Sequence, residues 1–396
     1  MEVNAGMGRR GLLAAAAAAA ATAGLGCAPG ATARTELPAP KAQKPSAAGT
    51  KPLYLGVYTS VSGGGKGVAL TAYEPSTGAI TSTGVVTGVA DPSFLAFGPS
   101  TGTLYTVNER SPGAVTAIAL RGGSNGAPKV LGSRPTGGDG PCHLSVHPGS
   151  RYLLSANYDS GSVAVHPIGQ DGKLGARTAL LRHSSPPPGP GQDGPHAHQI
   201  ITSPDGRFVL AVDLGNDTVY TYQLDETAGT LHQVSFAALR PGAGPRSLTF
   251  HPGGTFAYLA NELDNTVVVC AYNAATGKLT PGAPQSTGTG SVKSYPAQLL
   301  VTADGAFAYL ANRGHNSITR YAVESVGATL RLLDTVPVGG DFPRHIAFDP
   351  TGRLLFAANQ KSNTVTVLNV DTKTGKLTLA GKPFAAPGVV CVLPSL

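Results

Sequence analysis

Short apolar segments, separated by turns that usually contain Pro and Gly, follow one another from about residue 52 to the end of the chain. Each recurring unit has an apolar strand, a turn, a second apolar strand that ends in Asn or Asp, and a third strand. The six second strands are predicted at residues 104–108, 152–157, 208–213, 256–261, 307–312 and 354–359. Such segments, bounded by turn residues, are typical of β-strands. The units repeat about every fifty residues, a period that predicts propeller blades.

Some apolar segments lie outside these six units. Residues 52–59 and 67–73 precede the first unit, and residues 388–393 follow the sixth. Together they predict a seventh blade shared by both chain ends, which would close the ring and remove exposed sheet edges. The predicted fold class is therefore all-β: a seven-bladed β-propeller of four-stranded antiparallel blades, closed by the N- and C-terminal strands. We assign it to residues 52–396, since repeats that pack on their neighbours form one large domain.

The N-terminus has a different composition. Arg9 and Arg10 precede an apolar run of about sixteen residues, rich in Ala and Leu. This order is typical of a secretory signal, and the paired arginines indicate the twin-arginine export route. The run is short for a membrane span, and no later segment is apolar enough for one. Residues 1–27 are therefore predicted to be an export signal.

The end of this signal leaves two possibilities. Cys27 is a candidate lipidation site because the residues before it resemble a lipoprotein cleavage site, and simple cleavage nearby is the alternative. Residues 28–51 are rich in Ala, Pro, Thr and Lys, and are predicted to be a flexible linker. The expected location is extracellular, or on the outer face of the cell membrane through a lipid at Cys27.

Composition narrows the function classes. The 53 Gly and 32 Pro residues favour a β-rich globular protein over a helical one. The net charge of +7 suits an anionic ligand. The basic residues are scattered, without the clusters expected of a nucleic-acid site, so no nucleic-acid partner is predicted. The cysteines of the predicted domain, Cys142, Cys270 and Cys391, are odd in number and far apart, which indicates core packing.

Propeller geometry brings two positions of each unit to one central pocket. The start of the innermost strand contributes Ser93, Cys142, His198, Arg246, Ala297 and Arg344. The position after the second strand contributes Glu109, Tyr158, Leu214, Glu262, Arg313 and Gln360. The Asn or Asp before this second position recurs, so a turn-forming role explains it.

Four charged or titratable residues do not recur from unit to unit. They are His198, Arg246, Glu262 and Arg344. A buried charge needs a partner or a ligand, so we predict that these residues are functional. A purely structural clasp between Arg246 and Glu262 is the alternative.

Several motifs carry a family resemblance. They are GPR at 244–246, FHP at 250–252, YLANEL at 258–263 and YLANRGHNS at 309–317. These segments resemble the bacterial lactonase family of seven-bladed propellers, which includes the propeller-type 6-phosphogluconolactonase and is similar to fungal carboxymuconate cyclases. The similarity runs from about Tyr54 to Val392. It implies a lactone-opening hydrolase, and Ser247 and Gln298 depart from the family pattern in ways that leave the substrate open.

The resemblance implies catalytic roles for His198, Arg246, Glu262 and Arg344. Lactone hydrolysis needs a deprotonated water, stabilisation of the oxyanion and a proton for the leaving alkoxide. His198 is the predicted general base. Arg246 and Arg344 would hold a carboxylate or phosphate, or stabilise the oxyanion. Glu262 would orient His198 or Arg246, or supply the proton. The predicted substrate-binding residues are His143, His196, Gln298, Arg313 and Gln360.

His196 would face the same side as His198 if the strand were regular. No matching carboxylate or cysteine set accompanies the pair, so neither a metal nor another cofactor is predicted. The predicted partner is a small lactone of anionic character, and export argues against phosphogluconolactone, which belongs to cytoplasmic metabolism. A non-catalytic envelope propeller that binds a ligand or protein, and a carboxymuconate-type cycloisomerase, are the alternatives. The Pro-rich residues 184–195 are expected to be a lid or a rigid spacer.

Overall fold

The computed structural model describes residues 49–123, 126–184, 189 and 192–395. Within these residues the chain forms seven antiparallel β-sheets, each with four strands along its main path. The predicted export signal, Cys27 and the linker up to residue 48 lie outside the described residues. Of the part that is described, no helix is long and apolar enough to cross a membrane.

The strands of the first half are β1 (Lys51–Val57), β2 (Val68–Tyr73), β3 (Ile80–Val86), β4 (Leu95–Gly98), β5 (Thr103–Asn108), β6 (Ala114–Ala119), β7 (Lys129–Pro135), β8 (Pro141–Val146), β9 (Tyr152–Asn157), β10 (Ser162–Pro167), β11 (Ala179–Arg182), β12 (Ala197–Thr202), β13 (Val209–Asp213), β14 (Thr218–Asp225) and β15 (Thr230–Ala238). Those of the second half are β16 (Pro245–Phe250), β17 (Phe256–Asn261), β18 (Thr266–Asn273), β19 (Lys278–Ser286), β20 (Tyr295–Val301), β21 (Phe307–Arg313), β22 (Ser317–Glu324), β23 (Thr329–Pro337), β24 (Pro343–Phe348), β25 (Leu354–Asn359), β26 (Thr364–Val370), β27 (Leu377–Leu379), β28 (Phe384–Ala385) and β29 (Val389–Pro394). A 3₁₀ turn at Ser325–Gly327 connects β22 to β23.

The predicted second strands are confirmed. They correspond to β5, β9, β13, β17, β21 and β25, and no predicted end differs from the observed one by more than one residue. In the last sheet the outermost strand is interrupted, so that both β27 and β28 pair with β26.

Both chain ends build one sheet. Its strand order is β29-β1-β2-β3, so the C-terminal strand is innermost and the other three strands come from the N-terminal side. Antiparallel pairing places Leu55 opposite Val392 and Tyr54 opposite Leu393. The predicted seven-bladed propeller, with a blade shared by both ends, is therefore confirmed. We number the blades 1 to 7 from this shared sheet in chain order.

The core lies between the blades. Seven hydrophobic clusters, counted over the described residues, each combine side chains from two neighbouring blades. In one of them Leu53 and Tyr73 of blade 1 pack with Phe356 of blade 7. Burial of apolar surface therefore stabilises the closed ring as well as the individual sheets. Cys142, Cys270 and Cys391 are all buried. Cys270 and Cys391 belong to hydrophobic clusters, as predicted for core packing, whereas Cys142 lines the centre of the ring.

Polar contacts also join each blade to the next. Buried tyrosines of the second strands donate to carbonyl oxygens in the third-to-fourth-strand turn of the following blade: Tyr105 to Gly172, Tyr152 to Glu226, Tyr258 to Gly327 and Tyr309 to Gly375, at 2.8–2.9 Å. The histidine of the FHP motif acts similarly, since His251 Nε2 lies 3.4 Å from the Gly305 carbonyl oxygen of the next blade. This motif therefore serves the contact between blades and does not line the central pocket.

Substitution of Tyr258 by Phe tests this contact. The change removes the hydroxyl that satisfies the Gly327 carbonyl oxygen and keeps the ring that fills the core. We expect the free energy of unfolding to fall by about 1–3 kcal/mol, the cost of an unsatisfied buried polar group, as measured by urea denaturation. Tyr54→Phe is the matched control, because the Tyr54 hydroxyl makes no hydrogen bond to the described residues. Equal stability of the two variants would show that the bond contributes nothing.

Candidate active site

The inner strands are irregular where they reach the centre of the ring. In β12 the pairing with β13 shifts between Ala197 and Gln199, so His198 is an extra residue in the ladder. The same shift recurs in other blades, where the extra residues are Cys142, Arg246, Arg344 and Val390. A β-bulge changes the direction of side chains and breaks their alternation. As a result, two successive residues can face the same side of the strand.

These bulges surround a central cavity. Each extra residue lines it, and in four blades the residue that follows lines it too: His143, Gln199, Ser247 and His345. Ser93, Phe94 and Gln298 complete the wall. Of the predicted site residues, His198, Arg246, Arg344, His143 and Gln298 are therefore brought together in one pocket.

Glu262 lies behind the pocket wall and contacts two arginines. Its Oε2 atom is 3.1 Å from Arg246 Nε and 2.5 Å from Arg313 Nη2. Arg246 also donates from Nη1 to the Ala297 carbonyl oxygen at 2.5 Å. All three charged side chains are almost completely buried. Because Glu262 and the Ala297 carbonyl oxygen both contact it, the Arg246 guanidinium is held in one position at the pocket wall, although the two arginines share a single carboxylate.

The GPR and NEL motifs explain this placement locally. Gly244 has a φ of +60°, and a Cβ atom there would lie 2.3 Å from Leu263 Cγ, so only glycine fits. The Glu262 amide donates to the Gly244 carbonyl oxygen at 2.7 Å, which fixes the end of β17 against the start of β16. The two motifs therefore bring Arg246 and Glu262 together.

A second carboxylate, Glu109, contacts residues of blades 1, 2 and 7. Glu109 accepts hydrogen bonds from the Tyr58 hydroxyl at 2.9 Å and from Ser93 Oγ at 2.5 Å. Arg344 Nη2 lies 3.9 Å from Glu109 Oε1, and its guanidinium stands over the Tyr58 ring at 5.9 Å. Arg344 is therefore held more loosely than Arg246.

His143 and His345 line the pocket on either side of Phe94. The Phe94 ring centroid lies 4.2 Å from that of His143 and 5.3 Å from that of His345. Burial, with smaller effects of His345 and Arg246, lowers the pKa of His143 to about 3. Burial, with smaller effects of Arg246 and Arg344, lowers the pKa of His345 to about 3. Both imidazoles are therefore neutral at physiological pH.

The remaining predicted residues lie at different distances from the cavity. His198 lines it and is only 5% exposed, with its ring edge-on to Tyr158 at 5.8 Å. His196 precedes the bulge, and its ring stacks on Tyr158 at 4.5 Å while Nε2 contacts Asp193 Oδ1 at 2.7 Å. The expectation that His196 and His198 share a face assumed a regular strand, and the bulge removes that regularity. Gln360 follows β25 and is not part of the cavity wall.

The sequence analysis places Glu109 at the central pocket without assigning it a role, and it does not identify Tyr58 or His345. Glu109 and Tyr58 occupy the same position after the second strand as Glu262, and Glu109 differs from its counterparts as clearly as Glu262 does. That difference was the available signal. His345 follows Arg344 directly, so without knowledge of the bulge it would be assigned to the opposite face.

Comparison with known proteins identifies the family. Residues 52–394 match the family described as lactonase, 7-bladed beta-propeller. The chain belongs to this family. The 6-phosphogluconolactonase of Bacillus subtilis (strain 168) is 33% identical to this lactonase-family chain over 345 residues, which are 86% of this chain and 97% of the relative.

Solved structures agree with this assignment. The periplasmic gluconolactonase PpgL of Pseudomonas aeruginosa has a TM-score of 0.81 and 29% identity, and the match covers 88% of this chain and 99% of that one. A protein from Lactobacillus plantarum has a TM-score of 0.81 and 30% identity, with 88% of this chain and 100% of that one covered. Membership places the chain among the lactonases, which are hydrolases of cyclic esters.

The neutral histidines predict a dependence of stability on pH. Their pKa is about 3 in the folded lactonase against 6.5 without the fold, so the unfolded chain binds more protons between these values. The contribution of these histidines to the free energy of unfolding is therefore fully present above about pH 6.5. Below that pH it decreases, by up to about 1.4 kcal/mol per pH unit for each histidine. We expect His345→Gln to remove one such contribution, measured as the difference in unfolding free energy between pH 7 and pH 5.

The exposed His232 supplies the control, since His232→Gln should keep the wild-type difference. Glutamine is a suitable replacement for His345 because Gln199 and Gln298 hold the equivalent position in two other blades. An unchanged pH dependence in His345→Gln would contradict the neutral state of this residue.

Proposed function

We propose that this protein hydrolyses a small, sugar-derived lactone in the central pocket. The observation that carries the proposal is the convergence of His198, Arg246 and Arg344 on one cavity, in a chain of the lactonase family. Glu262 stands against Arg246 at this cavity. The names of two relatives, a 6-phosphogluconolactonase and a gluconolactonase, support an aldonic acid lactone as the substrate class.

The proposed reaction begins with a water molecule between His198 and the lactone carbonyl. His198 takes a proton as the water oxygen bonds to the carbonyl carbon, and the carbonyl oxygen becomes an oxyanion. Arg246 stabilises this charge, since Glu262 and the Ala297 carbonyl hold its guanidinium in advance. The bond between the carbonyl carbon and the ring oxygen then breaks, and the ring oxygen receives the proton from His198. Glu262 acts in this scheme as a positioning residue for Arg246.

The charge of the pocket supports binding of an anionic group, either on the substrate or on the carboxylate product. Among the described residues around the pocket, three guanidinium groups, from Arg246, Arg313 and Arg344, face the carboxylates Glu262 and Glu109. With neutral His143 and His345, this cluster carries one net positive charge. Arg344 is the more loosely paired guanidinium at the wall, so we assign it to a carboxylate or phosphate of the substrate, or to the carboxylate of the product.

Export is part of the proposal. The paired Arg9 and Arg10 before an apolar run, and the periplasmic location named for the Pseudomonas relative, support an extracytoplasmic lactonase. In that compartment an unphosphorylated sugar lactone is the preferred substrate. We propose a lipid at Cys27 as the means of retention on the outer face of the membrane.

Variants of the pocket test the activity. Hydrolysis of gluconolactone, phosphogluconolactone and simple lactones by the full chain is followed by pH-stat titration. We expect His198→Ala and Arg246→Ala to lower kcat/KM by about 10²–10⁴-fold, as for loss of a general base or an oxyanion donor. His232→Ala, an exposed histidine of β15, is the control and should match the wild type.

The outcomes separate the alternatives. Turnover that survives both pocket substitutions would reject the assigned residues and leave the activity in place. Absence of turnover on every lactone, with a folded chain, would reject the enzymatic proposal in favour of a propeller that only binds a ligand or a partner.

A further inference from the structure

A contact pattern that the proposed mechanism does not use recurs around the pocket. Side chains of the pocket wall accept backbone N–H groups from the inner strand of the next blade. The contacts are Ile200 N to His143 Nδ1 at 3.4 Å, Leu248 N to Gln199 Oε1 at 2.6 Å, Ile346 N to Gln298 Oε1 at 3.5 Å and Val392 N to His345 Nδ1 at 3.3 Å. Four of the ring's neighbouring blade pairs, within the described residues, are connected in this way.

These contacts fix the polarity of the side chains. A backbone N–H can only donate, so the side-chain atom that it reaches must be an acceptor. When the amide oxygen of Gln199 or Gln298 is engaged, the group left for other contacts is the NH₂ donor. When Nδ1 of a histidine accepts, the ring is neutral and its hydrogen is on Nε2. In all four side chains the remaining polar group is therefore a donor.

The donor ends are available to a ligand. All four side chains line the cavity. No described residue accepts a hydrogen bond from their donor atoms, and none of these atoms is among the buried polar atoms that lack a partner. The low pKa of His143 and His345 is consistent with the neutral tautomers. The donor ends therefore face the solvent of the pocket.

We propose that His143, Gln199, Gln298 and His345 form a donor collar that binds the oxygen-rich face of a polyhydroxylated lactone. The collar would engage lone pairs of hydroxyl, ring and carbonyl oxygens. Because each side chain is anchored at its acceptor end, none can rotate to offer an acceptor instead. The inference rests on the proposed function in taking the ligand to be a lactone, and it extends that function by naming the feature that is recognised.

The collar predicts discrimination between lactones. A site built from hydrogen-bond donors rejects analogues that leave those donors unpaired. Gluconolactone, which carries hydroxyl groups on its ring, should therefore be preferred to δ-valerolactone, which has the same ring without them. If the four side chains were purely structural, loss of their donor ends would leave this preference unchanged.

The substitutions Gln298→Glu and Gln199→Glu test the two ends of the side chain separately. A carboxylate keeps an oxygen for the backbone N–H of Ile346 or Leu248 and replaces the pocket-facing donor by an acceptor. Each variant is expected to unfold at the wild-type temperature, to raise KM for gluconolactone about tenfold or more, and to reduce its preference over δ-valerolactone. Gln223→Glu, an exposed residue of β14, makes the same chemical change outside the pocket and serves as the control.

Binding of D-gluconolactam, a lactone analogue with an amide in place of the ester, is measured by calorimetry alongside turnover. Weaker binding and raised KM in both variants, with the control unchanged, would support the collar. Wild-type KM and wild-type affinity in both would overturn it and leave the lactonase proposal intact. A lower unfolding temperature in both would overturn the assigned polarity of the contacts.

The measurement of lactam binding also distinguishes the two proposals if no turnover is detected. If the wild type hydrolyses no lactone but binds the lactam, and both variants bind it more weakly, the collar stands and the proposed hydrolysis does not. If the wild type neither hydrolyses a lactone nor binds the lactam, both proposals are overturned.

Discussion

The inner strand of each blade has a neighbouring strand on one edge only, and its other edge points to the centre of the ring. Backbone N–H groups there cannot be left unsatisfied without a cost of about 1–3 kcal/mol each. The protein meets this constraint with side chains of the adjacent blade, such as Gln199 Oε1 for Leu248 N. The same side chains thereby become the pocket wall. The polarity of the pocket is thus a consequence of how the ring satisfies its own backbone.

Closure of the ring also decides which charges meet. Arg246 and Glu262 come from one blade, so their pairing needs only the contact between β16 and β17. Arg344 and Glu109 come from blades 7 and 2, and they approach each other only because β29 completes the blade between them. Removing one member of a buried pair leaves an uncompensated charge, at a cost of about 3–5 kcal/mol. The site and the closure of the fold are therefore energetically linked.

This difference explains what could be predicted from sequence. The strands followed from a repeat of about fifty residues, and the shared blade followed from the strands left over at both chain ends. Arg246 and Glu262 were singled out because they are non-recurring charges at the two positions of a unit that meet at the centre of the ring. Glu109 also follows the second strand of its unit, but the start of the innermost strand there is Ser93 and not an arginine, and no spacing rule connects Glu109 to Arg344. The surroundings of His196 and the pocket position of His345 could not be predicted for a different reason. The bulge in the inner strands changes which residues face the pocket, and a single extra residue leaves no mark in the hydrophobic pattern.

The balance of charge in the pocket has a consequence for the proposed reaction. Ring opening converts a neutral ester into a carboxylate, so a strongly cationic pocket would hold the product more tightly than the substrate. Here the carboxylates Glu262 and Glu109 offset most of the arginine charge, and His143 and His345 contribute neutral donors. Neutral donors stabilise a developing oxyanion with less attraction for a fully formed anion than additional cations would have. We infer that this composition favours the transition state while it still allows the product to leave.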